Sequence, residues 1–340
     1  MLRVAAIQYC ASDSAKDTLR HIQPLIAEAA SRATLVTLPE CASYLAASRE
    51  QLATHAEWED NSYSQNWFAD QAQQLGVWLL AGSLMIRRRV DHKLVNRSLL
   101  FGPDGGFVAS YDKIHMFDAD VGDHKSYRES ASFTAGSAPV IAMIGDEPVG
   151  LSICYDVRFP HLYRQLALDG AKLLLVPAAF TAISGKAHWH ILLRARAIET
   201  GCFVVAPAQS GTHADGRQTY GHSLIISPWG EIIADAGDGD AVISADLDLA
   251  AVDEARKAIP SLMTNPAINP TRFITYCRKQ NSRNRINRSR HHQCAYICYF
   301  DQQSARPHPS RPSIQAARQR HRQAHQWPQP GHDAPHQVAR

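Results

Sequence analysis

Strand-like and helical stretches alternate along most of this chain, and two hairpin signals interrupt the alternation. Gly102-Pro-Asp-Gly105 separates Leu94–Phe101 from Gly106–Asp112, and Pro228-Trp-Gly230 separates Ser223–Ser227 from Glu231–Asp235. Glycine and proline so placed turn the backbone back on itself. A hairpin makes antiparallel neighbours, whereas a strand–helix–strand unit makes parallel ones. An α/β protein with mixed sheets and helices packed outside them is therefore expected. Further strands are expected at Arg3–Gln8, Thr34–Pro39, Val77–Ala81, Val149–Ile153, Lys172–Pro177, Cys202–Ala206 and Ala241–Asp246. Thr18–Ala30 places Leu19, Ile22, Leu25, Ile26 and Ala29 at helical spacing. Gln65–Leu75, His161–Asp169, Ala187–Thr200 and Leu249–Ala258 also read as helices, and Asp118–Ser137 as polar and irregular. No internal repeat is visible, and Ser210–Gly216 lacks the lysine and the strand–loop–helix setting of a phosphate loop.

Three polar residues stand where apolar or β-rich runs end: Glu40, Lys113 and Cys154. Strand ends far apart in sequence can converge at one sheet edge. A thiol at the handover from strand to helix is rigidly held, and backbone N–H groups beyond the turn can face a developing oxyanion. A carboxylate can take the thiol proton, and an ammonium can stabilise the charge that forms. Each residue also has a plain structural reading. Cys154 can finish a core strand, Glu40 can start a helix, and Lys113 can be an exposed hairpin end.

Longer words surround these residues. Leu38-Pro-Glu40, Tyr111-Asp-Lys113-Ile-His-Met-Phe-Asp118, Tyr127-Arg-Glu129-Ser130 and Cys154-Tyr-Asp-Val-Arg-Phe-Pro-His-Leu-Tyr-Arg164 resemble the nitrilase, or carbon–nitrogen hydrolase, superfamily. Ala187-His-Trp189, Leu192-Leu-Arg-Ala-Arg-Ala-Ile-Glu199 and Gly221-His-Ser-Leu224 extend the resemblance from about Arg3 to about Leu262. It implies an α-β-β-α sandwich that pairs into a four-layer homodimer or larger assembly. It also implies Glu40 as general base, Lys113 as oxyanion support, Cys154 as nucleophile and Glu129 as a second, positioning glutamate. The backbone N–H of Tyr155 is implied as an oxyanion donor. Such a set uses no metal and no organic cofactor. The stretch Ala206–His213, followed by Arg217–Ser223, looks like the Nit-branch subgroup that hydrolyses deaminated glutathione, a small 2-oxo acid amide. The neighbouring ω-amidases act on 2-oxoglutaramate.

Either substrate carries a carboxylate, and Arg158, four residues beyond Cys154, is the cation expected to face it. A salt bridge elsewhere is its alternative. His188 is a pocket candidate or a core histidine, and His190 stands where many Nit proteins carry glutamate. Two other activities remain open: acyl transfer or hydrolysis of another carbon–nitrogen substrate, and a binding or scaffold role without turnover.

The net charge of +3 conceals an asymmetry. Residues 271–340 carry 13 lysines and arginines against Asp301 and Asp333, while the rest of the chain is acidic. A domain at 1–265 followed by a basic, His/Gln/Pro-rich tail at 266–340 is expected, the tail having too few apolar residues to order itself. A nucleic-acid role would rest on the tail alone, and a changed reading frame would give the same abrupt shift. Cys294 and Cys298, near His291 and His292, have only weak metal-ligand spacing. Seven scattered cysteines argue against a disulfide framework. Met1–Gln8 turns polar too soon for a signal peptide, and no apolar run is long enough to span a membrane, so a soluble, cytoplasmic chain is expected.

Overall fold

The computed structural model describes residues 1–123 and 125–264. The expected domain boundary, the basic tail, Cys294 and Cys298 lie outside the described residues.

Two sheets form the centre. The first runs Ala241–Leu247, Leu2–Gln8, Leu35–Thr37, Trp78–Arg87, Leu94–Phe101, Phe107–Asp112, with Glu57–Trp58 added beside Trp78–Arg87. The second runs Ile232–Asp235, Leu224–Ile226, Phe203–Ala206, Leu173–Leu175, Glu147–Leu151, Val140–Ile144. Both are mixed. Leu2–Gln8, Leu35–Thr37 and Trp78–Arg87 are parallel neighbours, as are Glu147–Leu151, Leu173–Leu175 and Phe203–Ala206. The two hairpins signalled in the sequence supply antiparallel pairs.

Strand alternation builds the layers. Ala5 and Ile7 face Leu19, Ile22 and Ile26 of helix Ala15–Arg32 and Phe68 of helix Tyr63–Leu75. Val4 and Ala6 point the other way, into a core shared with Val149, Leu151 and Leu173 of the second sheet. The same core takes in Leu162 and Leu166 of helix Pro160–Leu168 and Trp189 and Leu193 of helix Ala182–Thr200. The order is helix, sheet, sheet, helix, the expected α-β-β-α sandwich. The strand Leu2–Gln8 is apolar on both faces because both are covered. Each large aliphatic side chain buried there stabilises by about 1.5–3 kcal/mol.

Some elements differ from expectation. Asp118–Ser137 holds a paired strand couple, Asp118–Asp120 with Ser126–Arg128, and a 3₁₀ turn, Glu129–Ala131. The helix expected from Ala187 begins at Ala182. Helix Arg49–His55 and the hairpin Ser210–Thr212 with Gln218–Tyr220 are additional. The strand couple, the 3₁₀ turn, helix Arg49–His55 and the added hairpin are short and polar, so they lack the apolar period that announces longer elements. No helix among the described residues is long and apolar enough to cross a membrane.

Candidate active site

Four polar side chains from four separate segments meet at one end of the two sheets. Glu40 follows strand Leu35–Thr37. Its backbone carbonyl accepts from Gln209 Nε2 at 3.0 Å, and the next amide, of Cys41, donates to Ser83 Oγ at 3.0 Å. Gly82 permits this approach: a Cβ there would lie 1.9 Å from the Leu38 carbonyl oxygen and 2.3 Å from that of Pro39. Lys113 directly follows Phe107–Asp112, and its amide donates to the Asn96 carbonyl at 2.9 Å. Cys154 lies beyond Glu147–Leu151, held by its own N–H on the Pro177 carbonyl at 2.8 Å.

Cys154 has φ +49°, a left-handed conformation that costs a non-glycine residue strain, and it opens the 3₁₀ turn Cys154–Arg158. Fully buried Asp156 anchors that elbow. One of its oxygens accepts from the Ile153 amide at 2.9 Å and the Tyr111 hydroxyl at 2.8 Å. The other accepts from the His115 amide at 3.0 Å and contacts His115 Nδ1 at 2.7 Å.

The charged groups form one bonded cluster. Lys113 Nζ donates to Glu40 Oε1 at 2.8 Å and to the two Glu129 oxygens at 3.0 and 2.9 Å. Asn96 Nδ2 bridges the same carboxylates, at 2.9 Å to Glu40 and 3.2 Å to Glu129. Glu40 Oε2 accepts from the Ala179 amide at 2.9 Å, and Glu129 Oε2 from the Phe117 amide at 2.6 Å. Cys154 and Glu40 line the same cavity, and the Glu40 charge acts on the thiol. Burial opposes the charge on Glu40, but Lys113, the thiol and Asn96 hold its carboxyl below the ordinary range. Burial also opposes the charge on Lys113, and Glu129 and Glu40 outweigh it, raising the ammonium well above its usual value. Burial, then the Glu40 charge, push the Cys154 thiol well above the ordinary cysteine range against the pull of Lys113. The resting arrangement is therefore carboxylate, ammonium and neutral thiol.

These residues line a cavity of about 310 Å³, with Cys41, Arg49, Tyr127, Asp215 and Arg217 among the other lining groups. Tyr155, Arg158 and His188, singled out in the sequence for substrate contact, do not line it. Arg158 lies with its guanidinium 5.0 Å from the Phe180 ring centroid and Nη1 3.3 Å from His188 Nδ1. Asn96, Asp156, Gln209 and Arg217 carry geometry that sequence reasoning did not assign to them. A polar residue inside an apolar strand was the available signal for Asn96, and Arg217 sat within a motif used only for comparison.

His190 Nε2 contacts Asp235 Oδ2 at 3.0 Å, and His222 Nδ1 contacts the other oxygen at 2.9 Å. This trio is the one group among the described residues whose possible metal-ligand atoms lie within 4.8 Å of one another. Hydrogen bonds inside the group already satisfy the contacting atoms, and none of the three lines the catalytic cavity.

A buried thiol and a carboxylate in one cavity, with an ammonium between two glutamates, on an α-β-β-α sandwich, is an arrangement of the hydrolase class. Residues 3–257 match the carbon-nitrogen hydrolase family, and the chain belongs to it. Deaminated glutathione amidase of Yersinia enterocolitica is 39% identical over 267 residues, covering 77% of this chain and 92% of that protein. Omega-amidase NIT2 of Xenopus tropicalis is 35% identical over 259 residues, 76% of this chain and 92% of that one. Among solved structures, Saccharomyces cerevisiae Nit3, a member of branch 10 of the nitrilase superfamily, superposes with a TM-score of 0.69. It is 28% identical, with 76% of this chain and 94% of Nit3 covered.

Proposed function

We propose that this chain hydrolyses the amide bond of a small 2-oxo acid amide, with deaminated glutathione as the preferred substrate, through a thioester on Cys154. The observation that carries the reading is Cys154 beside Glu40 in one cavity while Lys113 bridges Glu40 and Glu129. Cys154 Sγ attacks the amide carbon as Glu40 takes the thiol proton. The tetrahedral oxyanion is stabilised by the Lys113 ammonium and by the backbone N–H of Tyr155, which directly follows Cys154 although the residue lies outside the cavity lining. Glu40 then protonates the departing nitrogen, and the C–N bond breaks. Water attacks the thioester, giving its proton to Glu40. The C–S bond breaks, and the proton returns to the sulfur as the acid leaves. Glu129 holds Lys113 in place throughout. No metal or organic cofactor enters this sequence.

The similarity to amidases named for deaminated glutathione supports that substrate. The omega-amidase relative supports 2-oxoglutaramate as the second reading. The hydrolase domain spans residues 1–265, works in the cytoplasm and pairs as a homodimer or larger assembly. Release of cysteinylglycine from deaminated glutathione, set against ammonia release from 2-oxoglutaramate, ranks the substrates. Cys154→Ala is expected to abolish both while leaving the circular dichroism spectrum unchanged. Turnover by that variant would refute the thioester route.

A further inference from the structure

The catalytic cluster explains how an amide bond is cut, but it leaves Arg217, a cation in the cavity wall, without a role. Arg217 sits where the hairpin Ser210–Thr212 with Gln218–Tyr220 turns, just after Gly216 at φ +73°. Its carbonyl accepts from the His213 amide at 2.8 Å, and its own amide donates to Asp215 Oδ1 at 2.7 Å, so the backbone is fixed. Nη2 donates to Asp215 Oδ2 at 3.1 Å, and the guanidinium carbon lies 5.4 Å from the Tyr127 ring centroid. The Nε–H is buried and has no hydrogen-bond partner among the described residues. A buried, unpaired donor on a charged group is costly, and a planar guanidinium is built to meet a carboxylate. Arg49, from helix Arg49–His55, adds a second positive charge to the same wall. Glu40 and Glu129 are bonded to Lys113, and Arg217 is bonded to Asp215 rather than to either of them.

We propose that Arg217, rather than Arg158, is the residue of this cavity that recognises a substrate carboxylate, the anion taking the free Nε–H and thereby setting the amide over Cys154. The proposal rests on the hydrolase reading and adds to it the group that selects charged amides. The carboxylate has two possible sources: the 2-oxo acid end of the acyl part, present in both candidate substrates, or the glycyl end of the leaving group, present in deaminated glutathione alone.

The full-length chain and its Arg217→Gln, Arg217→Lys and Arg158→Gln variants are compared on deaminated glutathione, 2-oxoglutaramate and butyramide, which has no carboxylate. Arg217→Gln is expected to lower the kcat/KM ratio of a charged amide over butyramide by about tenfold or more, mostly through KM, with Arg217→Lys intermediate. A fall for both charged amides assigns the acyl carboxylate, and a fall for deaminated glutathione alone assigns the leaving group. An equal loss on all three amides, or a larger fall in the ratio for Arg158→Gln, would overturn the proposal. A wild-type chain inactive on both 2-oxo acid amides would refute the hydrolase reading instead. Calorimetric binding to Cys154→Ala, with and without Arg217→Gln, then decides the role of Arg217, using 2-oxoglutarate where both charged amides fall and deaminated glutathione where it alone falls: binding lost in the double variant supports it, and equal binding in both overturns it.

Discussion

Two cysteines share the catalytic cavity and differ in one respect that matters. Cys41 and Cys154 are both buried, both line the cavity, and both take left-handed backbone angles, φ +60° and +49°. Burial pushes both thiols up, and in each the next largest cause is the negative charge of Glu40. Cys154 alone opens a 3₁₀ turn, whose N–H groups follow it directly. Proximity to charge and a raised thiol are therefore not what make a nucleophile here. Under the proposed mechanism the distinguishing feature is Glu40 acting as proton acceptor for Cys154, so that the thiolate need exist only as attack occurs.

Removing that acceptor is the strongest way to break the comparison. Glu40→Gln keeps the shape but cannot take a proton, and kcat is expected to fall by about 10²–10⁴. The pH profile sharpens the point. Glu40 is held below the ordinary carboxylate range, so activity and the stability from its ion pair are both fully present above the unfolded pKa. Both are lost only as pH falls through the lower folded value. The Cys154 thiol is held up, so the rate should stay flat through the ordinary cysteine range. A rate that climbs through that range would show preformed thiolate as the reactive species and remove the need for proton transfer to Glu40.

The elbow itself provides the next test. Asp156→Ala would leave the Ile153 and His115 amides and the Tyr111 hydroxyl without their acceptor. Each buried donor so stranded costs about 1–3 kcal/mol, giving an expected loss of about 3 kcal/mol or more in urea unfolding. Because the left-handed Cys154 depends on that anchor, kcat should fall as well. A variant that loses stability yet keeps kcat would show that the elbow holds its shape without Asp156.

Much of this arrangement is legible in the sequence, for an identifiable reason. Glu40, Lys113, Glu129 and Cys154 each sit in a distinctive local word, and the two hairpins announce themselves through glycine and proline. Long elements such as helix Ala15–Arg32 show their apolar period. Asn96 and Asp156 are harder to read because their roles arise only in three dimensions. Asn96 is one polar residue in the strand Leu94–Phe101, and it meets Glu40 across 56 positions of chain. Asp156 bonds back 45 and 41 positions, to Tyr111 and His115. Arg158 illustrates the opposite case. Closeness to the nucleophile in sequence suggested a substrate contact, yet a turn of five residues directs its guanidinium over Phe180 instead. Arg217, 63 positions beyond Cys154, reaches the cavity wall through a hairpin too short and polar to be foreseen.

The smallest effect is expected at the other cysteine, and it isolates what the comparison claims. Cys41→Ala removes a buried sulfur next to Glu40 but no hydrogen bond to the base. Its amide remains free to bond Ser83 Oγ, and alanine tolerates φ +60° no worse than cysteine. Stability should fall by about 1 kcal/mol and kcat by no more than about twofold. Iodoacetamide labelling followed by peptide mass mapping tests the same difference in the unmodified chain. Cys154 should be alkylated in step with loss of activity, and Cys41 should stay unlabelled, because burial and the Glu40 charge hold its thiol protonated at neutral pH and it takes no part in the proposed proton transfer. If Cys41 reacts as fast as Cys154, or if Cys41→Ala loses activity tenfold, proton transfer to Glu40 is not what separates the two thiols. The role of nucleophile would then have to be argued from the elbow geometry alone.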